Sequence, residues 1–283
     1  MTIARNLIAA LALVIASQAL AQDQPLIVGG TVLKDQSKVP FLVQLHDQYG
    51  VACGGTVIAP TWILSAAHCE EVINEPALQI FAGSIVAGQG STLKVKNHYV
   101  HPQFSGGDAS HGPSNDFMLI ELTAPITDAK VQAIALADAD FVSRGGEDPG
   151  QVLTVAGWGD LKENSGKYPS TAYSVDVPVV SLSVANASAA YNGVLDESML
   201  PAGYAQGKKD ACDGDSGGPL FTYDSQKQQN VLVGVVSWGD GCARANKYGI
   251  YSNVAYGLDW IQQTMGKTTS PVTKKPKPSK ISF

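Results

Sequence analysis

The sequence lacks the patterns that mark a metal centre or a membrane-embedded domain. Its 283 residues include only four cysteines and show no C-x-x-C or H-E-x-x-H spacing, so we expect no metal ion and no other cofactor. After residue 21, no apolar run approaches the ~20 residues that a membrane-spanning helix needs, so no membrane partner is expected. Helical periodicity is also scarce, which disfavours a mainly helical fold.

The net charge of −6 is unevenly distributed. Residues 266–283 contain five lysines and no acidic residue, so the rest of the chain is more acidic than the total suggests. An acidic body disfavours nucleic acid as a partner and favours cationic substrates. The basic tail, 266–283, is rich in proline and lysine, has almost nothing to bury and is expected to be disordered.

The first 26 residues have the pattern of targeting and processing segments. Residues 1–21 combine a cation at Arg5, an apolar stretch and Ala19-Leu-Ala21 as a cleavage site, which is typical of a secretory signal peptide. Residues 22–26 are interpreted as an activation propeptide. We therefore expect a secreted, extracellular protein in which disulfides are permitted. Of the three possible pairings, sequence proximity favours Cys53 with Cys69 and Cys212 with Cys242.

Short apolar or alternating runs, rich in β-branched residues, predict strands along the chain. They lie at 41–45, 55–59, 77–81, 93–100, 117–122, 151–156, 172–180, 220–223, 231–238 and 249–254. The Gly-rich segment 143–150 divides them into two sets, and a helix is predicted at 256–265. This pattern predicts an all-β fold of two barrels or sandwiches of about equal size.

Residues 210–220 read Asp-Ala-Cys-Asp-Gly-Asp-Ser-Gly-Gly-Pro-Leu and place Ser216 among glycines. A serine hydroxyl is a weak nucleophile, so it needs a general base and donors for the oxyanion that forms on attack. The segment also fits the G-x-S-x-G turn of α/β-hydrolases, in which the base follows the serine. Every histidine here precedes Ser216, which excludes that order: His46, His68, His98, His101 and His111.

Six segments resemble a trypsin-like serine protease of the chymotrypsin family, and they occur in the family's order. They are Ile27-Val-Gly-Gly30, Leu64-Ser-Ala-Ala-His-Cys69, Asn115-Asp-Phe-Met-Leu-Ile120, Gly157-Trp-Gly159, residues 210–220 and Ser237-Trp-Gly239. The resemblance covers about residues 27–265. It implies the chymotrypsin fold, with two six-stranded antiparallel β-barrels at about 27–142 and 150–254 and a short C-terminal helix at about 256–265.

The resemblance assigns catalytic roles to three side chains. His68 matches the general base, Asp116 the carboxylate that orients it, and Ser216 the nucleophile. The N–H groups of Gly214 and Ser216 match the oxyanion hole. These assignments imply hydrolysis of peptide bonds through a Ser216 acyl-enzyme.

The resemblance also implies specificity. Asp210 matches the base of the pocket for P1, the substrate residue on the acyl side of the cut bond, and Gly239 and Gly249 match the walls. A buried anion there favours protein or peptide substrates with Arg or Lys at P1. Asp213 and Asp240, next to the pocket elements, are either solvated acids or a source of preference for further basic groups.

Activation is expected by cleavage between Leu26 and Ile27, after which the new α-amino group pairs with Asp215. Because an Asp210 pocket would cut poorly after Leu26, we expect a separate activating protease. A monomer that protein inhibitors can bind is expected. The alternative is a non-catalytic homologue that acts as a binding or inhibitor module, but such proteins usually have damaged catalytic positions, and those positions are intact here.

Overall fold

The computed structural model describes residues 28–107 and 112–266; the expected signal peptide, propeptide and Ile27, as well as the tail beyond Gly266, lie outside these ranges. The described residues form fifteen strands: β1 (Thr31–Val32), β2 (Leu42–Asp47), β3 (Gly50–Ala59), β4 (Trp62–Ser65), β5 (Gln79–Ala82), β6 (Ser91–Leu93), β7 (Val95–Val100), β8 (Met118–Leu122), β9 (Ala135–Leu136), β10 (Val152–Gly157), β11 (Tyr173–Pro178), β12 (Met199–Ala202), β13 (Pro219–Asp224), β14 (Gln229–Trp238) and β15 (Gly249–Asn253). They also form four α-helices, α1 (Glu70–Ile73), α2 (Ala139–Ser143), α3 (Leu182–Ala185) and α4 (Val254–Thr264), and two 3-10 helical turns at Gln36–Lys38 and Ala67–Cys69.

The strands form two curled sheets. The first has the order β6-β5-β2-β3-β4-β8-β7 and the second the order β1-β11-β10-β13-β14-β15-β12, with β9 alongside β14. All pairs are antiparallel except β9 with β14, and a bridge between Val179 and Ala202 brings the two ends of the second sheet together. The expected all-β, two-barrel architecture with a C-terminal helix is confirmed. Short strands extend the sheets to seven and eight members.

Two of these short strands connect the halves of the chain. The first strand, β1, pairs with β11, so the segment that follows Ile27 belongs to the second sheet. The strand β9 joins the second sheet just before α2. The segment before the first sheet and the segment after it therefore both pair with strands of the second sheet.

A continuous core of buried apolar side chains runs through both sheets. Phe41 meets Phe221 edge-on across the two halves, with ring centroids 4.9 Å apart. Such aromatic pairs add about 0.5–1.5 kcal/mol beyond the area they bury. Because strands alternate their side chains between two faces, the inward face of each sheet supplies this core and the outward face meets solvent.

The C-terminal helix α4 begins where the Asn253 side chain accepts a hydrogen bond from the Tyr256 N–H. It packs on β14 and β15 of the second sheet, and it also contacts the first half of the chain. Gly257 lies against the Phe117 ring, and Trp260 lies 4.8 Å from the His101 ring. None of the helices in 28–107 and 112–266 is long and apolar enough to cross a membrane.

Candidate active site

The two halves of the chain are in close main-chain contact at a pair of glycines, Gly54 and Gly218. A Cβ on Gly54, in β3, would lie 2.9 Å from the Gly218 Cα, which is closer than real side chains allow. The Gly54 N–H donates to the Ser216 carbonyl oxygen at 2.7 Å. Residue 53 is disulfide-bonded to residue 69, next to His68. Residues 53 and 54 of β3 therefore connect to both the expected nucleophile, Ser216, and the neighbour of the expected base, His68, at the interface between the sheets.

His68 and Asp116 are hydrogen-bonded twice. The His68 Nδ1 lies 2.7 Å from Asp116 Oδ2, and the His68 main-chain N–H donates to Oδ1 at 2.9 Å. His68 lies in a single helical turn after β4, and Asp116 lies two residues before the start of β8, which pairs with β4. Neighbouring strands thus position both residues, and the ring is oriented with Nε2 away from the carboxylate.

Asp116 is 1% exposed, so its charge needs compensation. Burial acts to raise the pKa of Asp116, but hydrogen bonds from His68 and Ser237 outweigh it and hold the pKa below its ordinary value. Ser252 donates separately to the Asp116 carbonyl oxygen at 2.9 Å. The carboxylate is therefore fixed in its ionised form, as an anion that orients an imidazole must be.

The loop that carries Ser216 is wound tightly through two glycines with left-handed φ, Gly214 at +95° and Gly217 at +78°. Within the described part of the chain, the N–H groups of Gly214 and Ser216 donate to no protein acceptor. In the same part of the chain, the Ser216 hydroxyl makes no hydrogen bond to His68; such catalytic contacts commonly tighten only when substrate binds. The loop thus offers two free donors beside the hydroxyl.

A cavity of about 340 Å³ opens beside Ser216. Asp210 lines the cavity and is 4% exposed; its Oδ2 accepts the Ala243 N–H at 2.9 Å. Its Oδ1 has no hydrogen-bond partner among the described residues. Burial raises the pKa of Asp210 to about 7, and main-chain donors oppose this only in part. A cation in the cavity would compensate the carboxylate.

Gly239 and Gly249 both line the cavity. A Cβ on Gly249 would lie 2.6 Å from Asp210 Oδ1, and one on Gly239 would lie 3.2 Å from the Gly241 carbonyl oxygen. The disulfide Cys212–Cys242 closes one side, and both of its residues line the cavity. Both disulfides that sequence proximity favours are therefore present.

Asp215 is buried under the Ser216 loop and accepts the N–H groups of Gly159 at 2.8 Å and Cys212 at 3.0 Å. Burial raises the pKa of Asp215 to about 6 despite these donors. Its expected partner, Ile27, lies outside the described residues. The next residue, Val28, accepts the Asp210 N–H at 3.1 Å, so the start of the described chain lies beside the pocket loop.

The rim of the cavity is more nearly neutral than the acids alone suggest. Asp240 pairs with Lys247 at 2.8 Å and with Arg244 at 3.2 Å, and Arg244 also pairs with Glu163 at 2.6 Å. These cations largely offset the negative potential that the sequence predicted from Asp240. Asp213 remains exposed at the cavity.

Sequence reasoning missed several residues that shape this site. Ser237 stands in the motif Ser237-Trp-Gly239, which predicts no role for its side chain, although its hydroxyl bonds to Asp116. Tyr251 lines the cavity, and its hydroxyl has no partner among the described groups. The alternation of inward and outward side chains along β15 could have placed Tyr251 in the interior. Glu163, which pairs with Arg244, lies in a loop, where no periodic pattern predicts its position.

Within residues 28–107 and 112–266, two clusters have the residue types of a metal site. One contains His68 with Cys53 and Cys69, and the other contains Asp213 with Cys212 and Cys242. All four cysteines are in disulfides, so they offer no thiolate ligands. These clusters do not fit the donor set of a zinc site.

The comparisons with known proteins agree with this geometry. The family model for Trypsin matches residues 27–261. Anionic trypsin of Canis lupus familiaris is 35% identical over 244 residues, covering 86% of this chain and 91% of the relative. Trypsin of Sus scrofa is 33% identical (86% and 97% covered), and Trypsin-3 of Salmo salar is 36% identical (84% and 92% covered). The chain belongs to the trypsin family and is a trypsin-like serine endopeptidase.

Proposed function

We propose that the protein is a secreted endopeptidase that hydrolyses peptide bonds after Arg or Lys. The observation that carries the specificity is Asp210, a buried carboxylate at the base of the cavity beside Ser216, with one oxygen that no described residue satisfies. A buried unpaired anion is costly, so a guanidinium or ammonium group is the ligand that lowers the energy most. A site built to bind a polar group rejects substrates that lack it by up to ~10⁴ to 10⁵.

In the proposed mechanism, Ser216 Oγ attacks the carbonyl carbon of the bond to be cut. His68 Nε2 accepts the hydroxyl proton, while Asp116 holds the other ring nitrogen and stabilises the imidazolium that forms. The N–H groups of Gly214 and Ser216 stabilise the oxyanion of the tetrahedral intermediate. His68 then protonates the leaving amine. Water, deprotonated by His68, releases the acyl group from Ser216.

We propose that activation follows cleavage between Leu26 and Ile27. In support, Asp215 is buried without a cation among the described residues, and Val28 is hydrogen-bonded beside the same loop. An α-amino group at Ile27 would compensate this carboxylate and fix the Ser216 loop. Since the pocket is suited to Arg and Lys, cleavage after Leu26 requires another protease. Rapid self-conversion of purified proform would contradict this.

Secretion is supported by the pattern of residues 1–21 and by two disulfides, which form in oxidising compartments. Expression of the full-length chain tests it. A protein recovered from the medium with its first 21 residues removed is the expected result. Retention of those residues inside the cell would exclude a signal peptide.

The central test uses the form that begins at Ile27 and a mixture of peptides that contains every residue at P1. We expect cleavage almost exclusively after Arg and Lys. Ser216→Ala should lose activity by about 10⁶ while still binding benzamidine, a small cation that fits the pocket. Cleavage by Ser216→Ala, or cleavage after apolar residues, would refute the proposal. No cleavage by the active form would favour the non-catalytic alternative.

A further inference from the structure

The loop 160–168 is folded around one buried carboxylate. Asp160 is 1% exposed, and its Oδ1 accepts hydrogen bonds from the Leu161 N–H at 2.8 Å and from the Ser165 hydroxyl. Oδ2 accepts the Gly166 N–H at 2.7 Å, and the Lys167 N–H reaches Oδ1 at 3.3 Å. A single side chain thus determines the path of this loop.

Both ends of the loop contact the segment that precedes Ser216. At the start, the Asp160 N–H donates to the Asp213 carbonyl oxygen at 2.7 Å. At the end, the Tyr168 ring lies against Gly214, where an added Cβ would be 3.1 Å from Tyr168 Cε1. The Gly159 Cα lies 3.3 Å from the same position. The main chain at residues 213–214 is therefore held on both sides.

The contact with Asp213 has a specific geometric consequence. The Asp213 carbonyl and the Gly214 N–H belong to one peptide unit, which is planar and trans, so the two groups point in opposite directions. A donor that holds the carbonyl oxygen on one side therefore fixes the direction of the N–H on the other. The Gly214 N–H makes no hydrogen bond to any other described residue, so this contact is the main restraint on its aim.

We propose that Asp160 is a positioning residue for the oxyanion hole: by ordering the loop 160–168, it holds the Asp213–Gly214 peptide so that the Gly214 N–H points at the reacting oxygen. This inference rests on the proposed catalytic role of that N–H. Asp160 touches no substrate. Substitution of Asp160 should therefore weaken the stabilisation of negative charge on the substrate oxygen, and it should leave the binding of a cation to Asp210 unaffected.

The test compares Asp160→Asn with wild type in the Ile27-terminated protein. Two ligands separate the two parts of the site. A peptidyl argininal, an aldehyde, forms a tetrahedral adduct with Ser216 whose oxygen occupies the oxyanion hole, whereas benzamidine occupies only the pocket. We expect kcat on an Arg amide to fall by about ten- to a hundred-fold, below the 10²–10³ typical of a deleted donor. The argininal Ki should rise by a similar factor, and the benzamidine Ki by less than about two-fold.

Asp128→Asn is the matched control. Asp128 also accepts a serine hydroxyl, from Ser91 at 2.8 Å, and a main-chain N–H, from Lys130 at 2.9 Å, but it lies in the first sheet's connections. Asp128→Asn should leave kcat, the argininal Ki and the benzamidine Ki unchanged. If Asp160→Asn does not fold, Ser165→Ala removes one of the loop's bonds and should give the same pattern at about two- to five-fold.

The inference is overturned if the folded variant keeps kcat and the argininal Ki within about two-fold of wild type. It is also overturned if argininal and benzamidine weaken equally, because that would indicate collapse of the pocket. These results differ from failure of the proposed function, in which wild type itself would neither cleave the amide nor bind the argininal; that result removes both proposals.

Discussion

The Ser237 hydroxyl donates a 2.5 Å hydrogen bond to Asp116 Oδ2 across 121 residues of sequence. Ser237 lies near the end of β14 in the second sheet, and Asp116 lies two residues before β8 of the first. Both side chains are buried. The bond therefore crosses the interface between the sheets, and it reaches the same carboxylate oxygen that lies 2.7 Å from His68 Nδ1.

The first prediction concerns this bond. Ser237→Ala should lower kcat/KM by about ten-fold, equivalent to about 1.4 kcal/mol of transition-state stabilisation, because Asp116 loses a donor and orients His68 less well. The bond favours the ionised carboxylate and helps to hold its pKa below the ordinary value, so the loss of unfolding free energy should be full at neutral pH and should shrink as the pH falls below the ordinary carboxyl value towards the lowered pKa of Asp116. Kinetics and denaturant unfolding at two pH values measure both effects.

Ser252→Ala is the matched control, because Ser252 donates to the Asp116 main-chain oxygen and not to the carboxylate. It should cost stability, about 1 kcal/mol, with little change in kcat. Equal kinetic effects of the two variants would contradict the role given to Ser237.

The second prediction is a pH dependence of cation binding. Because burial raises the pKa of Asp210 to about 7, the carboxyl is partly protonated at neutral pH in the free enzyme. Benzamidine binds the ionised form, so its Kd should fall as the pH rises to about 7 and level off above. Binding should release protons near pH 7. Calorimetry in buffers of different ionisation enthalpy measures this directly.

Asp210→Asn should bind benzamidine weakly at every pH. The raised pKa of Asp210 also predicts how the unfolding free energy changes with pH. Between the ordinary carboxyl pKa and about pH 7, the folded state holds more protons than the unfolded state. Its unfolding free energy therefore decreases as the pH rises through that range, and Asp210→Asn should remove this decrease. A benzamidine Kd that is flat from about pH 5 to pH 8 would contradict the prediction.

The third prediction concerns the pocket wall. Gly249→Ala places a Cβ 2.6 Å from Asp210 Oδ1 and 3.1 Å from the Tyr251 hydroxyl, so the base of the pocket is obstructed. We expect kcat/KM on Arg and Lys substrates to fall by about 10- to 200-fold, the usual effect of one misplaced methylene. Gly106→Ala, where an added Cβ meets nothing within 4 Å, should behave as wild type. Equal activity of the two variants would exclude Gly249 from the pocket wall.

The fourth prediction separates the two disulfides. In the chain-entropy model, each bridge contributes about 3 to 4 kcal/mol to stability. Replacing both Cys212 and Cys242 by Ala should also weaken benzamidine binding, because both residues line the cavity. Replacing Cys53 and Cys69 should instead lower kcat, because that bridge holds His68 near the Ser216 loop. The unfolding free energy, the benzamidine Ki and kcat, measured for both double variants, distinguish these outcomes.

Much of the fold could be predicted from the sequence because strand periodicity is a local signal. Each of the ten predicted runs overlaps a strand. The strand β12 was missed since it contains Pro201, which cannot donate to a ladder and usually argues against a strand. It is accommodated because the Pro201 carbonyl still accepts the Val180 N–H at 2.9 Å. The two-residue strands β1 and β9 are defined by their partners and carry no periodicity of their own.

The candidate site could likewise be predicted only in part from the sequence. Motifs indicated His68, Asp116, Ser216 and Asp210 because these residues stand in distinctive local sequences. The partners of Arg244, and the role of Asp160 in its loop, depend on which loops meet in space, and no local pattern encodes that. The ion pairs at Asp240 show the consequence: the charge at the rim depends on neighbours that only the fold reveals.

The close approach of Gly54 and Gly218 sets a limit on how this enzyme can vary. No side chain separates the two main chains there, so the spacing between the proposed base, His68, and the proposed nucleophile, Ser216, is set by backbone atoms in direct contact. Insertions at the distant ends of either sheet leave that spacing unaltered, and substrate preference can diversify through them. A single methyl group added at the contact would have to push the two halves apart, and the reacting atoms with them.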